Sequence, residues 1–148
     1  MTFYTFVLHC HSILRYIALL LLIVAILKSF NGVIKKSEFK KEDLKIALFA
    51  MISFHFQFLI GLVLYCLSPK VLFQKSMFHQ DMFRYFTLEH VFMMLIAIAL
   101  ITVGYMMAKK DVNKNAHAKI LVYYTLTLFI VLLAIPWPFR IQLGGSWF

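Results

Sequence analysis

The sequence predicts an all-α fold, an integral membrane four-helix bundle running up-down-up-down as one domain over residues 1–148. Three observations carry this expectation. The chain is 63% hydrophobic and 14% charged, with a mean hydropathy of +0.86, where a soluble domain carries about 25% charged residues. Four apolar stretches recur, at 6–27, 46–67, 85–108 and 120–135. Lysines gather in two of the three connections and avoid the third.

Each stretch is read against the bilayer. A helix rises about 1.5 Å per residue and the hydrocarbon is about 30 Å thick, so ~20 residues span it. The first three stretches meet that length. The fourth is shorter, and "PWPF" at 136–139 closes it with aromatics suited to a membrane interface. No stretch alternates as barrel strands do, and a helix satisfies its own backbone in lipid.

The lysines set the expected orientation. Lys28, Lys35, Lys36, Lys40, Lys41 and Lys45 follow the first stretch, and Lys109, Lys110, Lys114 and Lys119 follow the third. The opposite side has only Lys70, Lys75, Arg84 and Arg140. Positive charge stays cytoplasmic, which puts both termini on the outer, periplasmic side. The net charge of +9 is then a topology signal, with anionic lipid as its counterpart. Nucleic acid is not an expected partner, because the basic residues hug membrane ends and no recognition motif occurs. Nothing basic precedes the first stretch, so it is expected to stay as a helix rather than be cleaved as a signal peptide.

Motifs exclude several chemistries. The chain has no C-x-x-C-H for covalent haem, and no Walker, Rossmann or H-E-x-x-H pattern. Cys10 and Cys66 both fall near the outer face. They are expected to pack as small apolar side chains, although a disulfide between them is geometrically conceivable.

Depth sorts the polar residues. His11 lies 17 residues from Lys28, or about 25 Å above the inner edge, and His90 lies 19 residues from Lys109, or about 28 Å. The two imidazoles are therefore level, on helices one and three, which are diagonal in such a bundle. His55 is about 15 Å up and Arg15 about 20 Å up, counted from Lys45 and Lys28. His9 and His79 fall at the outer surface, and His117 at the inner edge. Arg15 shares a stripe with His11. At this depth it costs about 2.5–3.5 kcal/mol on insertion scales, so it needs a partner. Glu89, the one acid in the apolar spans, would supply an Arg15–Glu89 ion pair. An anionic ligand group, such as a haem propionate or a quinone oxygen, is the alternative.

Two imidazoles from facing helices, level across the core, can hold the iron of haem b. His11 and His90 meet that requirement, with Arg15 on a propionate and Glu89 beside the pair. His55 would line the core below, at a quinone or proton site, or replace His11 opposite His90 if a helix tilts. The rival reading is a cofactor-free accessory subunit of a multi-protein membrane complex. Its polar cluster would then lock helices one and three. Any enzymatic role is left open, since no free-standing catalytic motif occurs.

"LHCHSILRY", "SFHFQFLIGLVLYCLSP", "FRYFTLEHVFMMLIAIALITVG" and "NAHAKILVYYTL" together resemble small bacterial four-helix membrane proteins described as cytochrome b-like. The matching positions are His11, Ser12, Arg15 and Tyr16; His55 and Gly61; Arg84, Glu89 and His90; and His117. The family's histidine before helix four directly follows a lysine, whereas here it lies in "NKNAHAKI". The resemblance covers nearly the whole chain. It implies haem b and quinone-linked redox work in a bacterial membrane; other membrane subunits are expected as partners because so small and loop-poor a chain has little surface outside the bilayer.

Overall fold

The computed structural model describes residues 2–110 and 115–145. It is all-helical among those residues. Four helices are long and apolar enough to cross a membrane: α1 (Phe3–Ile34), α2 (Lys41–Leu67), α3 (Asp81–Lys110) and α4 (Ala116–Ala134). A 3-10 turn at Lys75–His79 lies between α2 and α3, and another at Ile141–Leu143 follows α4.

The helices overrun the apolar stretches that mark them. The hydropathy pattern reports hydrocarbon thickness, whereas a helix continues until its backbone is capped. Thr2 caps α1, its hydroxyl accepting from Thr5 N. The helix runs seven residues past Leu27 and closes in a Schellman motif, with Lys36 in the left-handed region at φ +50°. Ser37 N donates to Gly32 O and Lys36 N to Val33 O, which satisfies two terminal carbonyls. α2 starts five residues before Ile46 because the Asp43 carboxylate accepts from Lys40 N at 2.8 Å and caps the first turn.

All four helices are apolar around their circumference, as expected of elements that face lipid on one side and each other on the other. Small residues mark the inner seam: Ala25, Ala47, Ala50, Ala97, Ala108 and Ala134 are each 3% exposed or less. Such residues let helix backbones approach. Gly104 does the same between α3 and α4, where an added Cβ would meet Tyr123 Cβ at 2.6 Å. Large side chains on the outer faces, among them Leu20, Phe49, Phe92 and Phe129, are exposed.

α1 packs on α2 and α4, and α3 packs on α4 and α2, so α1 and α3 stand diagonally. The α2–α3 seam is the sparsest of the four adjacent contacts. Tyr124 crosses the core to donate to Ala47 O at 2.8 Å, joining α4 to α2. Tyr4 and Gly144 line one cavity, so both ends of the described chain sit at the same end of the bundle.

Candidate functional site

α4 ends at "IPWPF", and the reason is covalent. Pro136 and Pro138 lack the N–H groups that would bond the carbonyls of Leu132 and Ala134 four residues back. Those carbonyls find side chains instead. Trp137 Nε1 donates to Leu132 O at 2.9 Å, and Arg140 Nη1 to Leu133 O at 2.9 Å. Ala134 O accepts twice, from Tyr85 Oη at 2.6 Å and from His90 Nδ1 at 2.8 Å.

Tyr85 and His90 reach one carbonyl because the chain between them is a π-turn, Tyr85–Glu89, closed by His90 N donating to Tyr85 O. Residues five apart on an α-helix point about 140° apart, whereas an i→i+5 turn stacks them. The same geometry lets Arg84 Nε meet Glu89 Oε1 at 2.7 Å, five residues away. Thr87 O, inside the turn, accepts from Tyr65 Oη at 2.9 Å, and Thr87 Oγ1 accepts from Leu72 N at 3.0 Å. The irregular turn is thus tied to α2, to the loop after it and to α4.

A carbonyl can only accept, so His90 Nδ1 carries the proton, and in the neutral ring Nε2 is then a bare lone pair. His90 borders a cavity of about 190 Å³ lined by all four helices. His11 and Arg15 of α1, Gln57 and Tyr65 of α2, and Lys70 of the following loop line the same space. Phe54, Phe58, Phe86 and Met94 supply its apolar wall. His11 Nδ1 is shielded from solvent and has no hydrogen-bond partner, and neither has Gln57 Oε1. Gln57 Nε2 donates to His11 O at 3.0 Å, which pins α1 at that level. Gly61 faces the His11 ring, and an added Cβ would lie 3.3 Å from its Cε1. Arg15 Nη2 donates to Tyr16 Oη at 3.2 Å.

At the mouth, Lys70 Nζ donates to Gly144 O at 3.1 Å and lies 5.0 Å from the Phe86 ring centre. Burial lowers the Lys70 ammonium below the ordinary lysine range.

The residues singled out from sequence separate into two groups. His11, Arg15 and His90 share the cavity wall. Glu89 and His55 do not. Glu89 does not meet Arg15 through an ion pair; it pairs with Arg84, with 42% of its side chain exposed. The π-turn is the cause, because it rotates Glu89 toward Arg84 and away from the core. His55 Nδ1 donates to Met51 O at 2.8 Å, one turn back. Its Nε2 lies 3.4 Å from Thr102 Oγ1, whose single hydrogen goes to Ile98 O at 2.7 Å. Cys10 and Cys66 are free thiols. His9 and His79 are exposed.

Gln57, Lys70, Tyr85 and the Ala134 carbonyl join the site without being among the residues expected there. The signal for the last two was present in the P-x-P spacing, which removes two donors from the end of a helix. A second polar cluster sits at the lysine-rich end. Lys28 Nζ lies 3.3 Å from Asp43 Oδ1, and His117 Nε2 lies 3.9 Å from Asp43 Oδ2. The His117 ring packs edge-on to Phe39, 4.8 Å between centres, and against Gly32, where no side chain would fit. This cluster joins α1, α2 and α4 and has the character of a structural clasp.

Among the described residues, no three or more His, Cys, Asp and Glu side chains converge as a metal-binding set. The largest imidazole grouping on a cavity wall is the His11–His90 pair. No family model, curated protein or solved structure matches this chain.

Proposed function

We propose that the chain is a small multi-pass protein of the bacterial inner membrane that holds one b-type haem between His11 and His90. It would serve as an electron-transfer subunit of a larger membrane complex. The observation that carries this reading is the shared cavity: two imidazoles from diagonal helices border it, and His90 offers a bare Nε2. Neutral imidazole with the other ring nitrogen bonded to a carbonyl is the usual state of a metal-ligating histidine.

The donor set fits the group. Bound haem would supply a one-electron couple; the protein supplies the surroundings. His90 is oriented by Ala134 O, and His11 sits on a backbone held by Gln57. Arg15 and Lys70 are cations on the cavity wall, on the side where propionates would lie. The phenylalanines and Met94 form an apolar wall that would exclude water from a bound group. The enclosed 190 Å³ is below the ~300–1,000 Å³ typical of small-molecule pockets. The lysine-rich end would face the cytoplasm.

A cofactor-free accessory subunit is the second reading. Its expected lock between α1 and α3 was an Arg15–Glu89 pair, and Glu89 is engaged by Arg84 instead. The haem reading gives the two histidines a reason to share a cavity.

Purified protein should show a b-type α band in the reduced-minus-oxidised spectrum, with about one haem per chain. His11→Ala and His90→Ala should each lose the band while keeping helical circular dichroism. A folded, colourless preparation that takes up no added haem would overturn the proposal.

A further inference from the structure

The geometry points to Tyr85 as a positioning residue that sets how strongly His90 donates through Nε2, by competing with it for the Ala134 carbonyl. This inference rests on the haem reading for its redox consequence, though not for its structural one.

The carbonyl oxygen has two lone pairs, and both are engaged, by Tyr85 Oη at 2.6 Å and by His90 Nδ1 at 2.8 Å. Two donors on one acceptor weaken each other, because each draws on the same oxygen charge. Arg140 adds to the competition. Its Nη1 donates to Tyr85 Oη at 3.3 Å, and its guanidinium lies 4.8 Å from the Tyr85 ring centre. A hydroxyl that accepts from a cation is a stronger donor through its own hydrogen. The chain Arg140 to Tyr85 to Ala134 therefore holds back the bond from His90, and it begins in the segment after α4, outside the bundle.

Three covalent features build this arrangement. Pro138 removes the N–H that would have occupied Ala134 O. The π-turn brings Tyr85 and His90 to the same side of α3. Tyr85 is 1% exposed, so water does not enter the competition. A tyrosine that served only to pack would not need its hydroxyl on the one carbonyl that also fixes the histidine.

The sign follows. Loss of the Tyr85 hydroxyl gives His90 the full acceptor, and its Nδ1–H bond strengthens. Nε2 then becomes more basic, and a more basic axial ligand favours the oxidised metal. Tyr85→Phe should lower the midpoint potential. Arg140→Gln should lower it by less, since the tyrosine bond weakens but remains.

The experiment uses full-length chain with 15N-labelled histidine, read by NMR without haem and by redox titration with it. Trp137→Phe is the control, because it deletes the neighbouring capping bond to Leu132 O and leaves Ala134 O alone. Expected in the haem-free protein are a proton on Nδ1 of His90 and a downfield Nδ1 proton shift in Tyr85→Phe. Expected in the loaded protein is the ordered fall in potential, Tyr85→Phe beyond Arg140→Gln, with Trp137→Phe unmoved. A proton on Nε2 overturns the inference, as does a Tyr85→Phe variant that moves neither readout or a Trp137→Phe variant that moves both equally. If the chain binds no haem, the haem reading fails and the NMR arm still decides the Tyr85–His90 competition.

Discussion

At the scale of single residues, the site is built from groups whose partners are few and short-range. Gly61 shows this most simply. Its missing side chain leaves just enough room for the His11 ring, with an added Cβ at 3.3 Å from Cε1. Gly61→Ala asks the ring to give by tenths of an ångström, whereas Gly61→Val drives methyl groups into it. Overpacking of this kind costs about 1–3 kcal/mol. Gly61→Val should lower the thermal midpoint in detergent and displace His11 from the cavity; an unchanged midpoint with unchanged pigment would show that the ring has room to move. Asp43 is the corresponding residue at the other end. It is 8% exposed and accepts from Lys28 and from Lys40 N. Asp43→Ala strands the Lys40 donor and removes the α2 cap, at about 1–3 kcal/mol. Denaturant titration of the variant should report a loss of that order, while an unchanged midpoint would mean that water replaces the carboxylate.

At the scale of elements, the two informative segments are the irregular ones. α3 carries a π-turn and α4 is cut short by two prolines, and the two meet at Ala134 O. Pro138→Ala restores an N–H at the position that would bond Ala134 O along the helix. If α4 extends by a turn, that amide displaces Tyr85 or His90. The variant should then gain helical circular dichroism and lose haem affinity by about tenfold or more, roughly 1.4 kcal/mol. Gained helix with unchanged affinity would separate the two effects and remove Ala134 from the account.

These segments also mark what the sequence made legible. Length and hydropathy alone located α1 to α4, because lipid admits few backbone solutions. Depth counting brought His11 and His90 to one level, and the structure puts both on one cavity wall. The fate of Glu89 was not legible. Its expected partner was Arg15, and the π-turn at Tyr85–Glu89 brings it to Arg84 instead. A one-residue change in helical period has no hydropathy signature when the surrounding residues are uniformly apolar. His55 was expected to line the core below the pair, and its Nδ1 is taken by its own helix at Met51 O. Depth says nothing about such local bonds.

At the scale of the whole molecule, the chain divides its polarity between two ends and spends the middle on packing. The lysine-rich end has a clasp of Lys28, Asp43 and His117, and His117 also borders a second cavity with Gly32, Val33 and Phe39. The other end has the cavity, the two imidazoles and the bound turn of α4. Outer faces made of large apolar side chains suit lipid contact. The proposed chemistry sits at the His11–His90 cavity, where the two imidazoles would act as a ligand pair. Near-infrared magnetic circular dichroism of the ferric, haem-loaded protein reads the axial ligands directly, through a charge-transfer band whose position depends on their identity. The wild type should show the band of bis-imidazole ligation, displaced in both His11→Ala and His90→Ala. A wild-type band from any other ligand pair, or a bis-imidazole band that survives either substitution, would contradict that pairing.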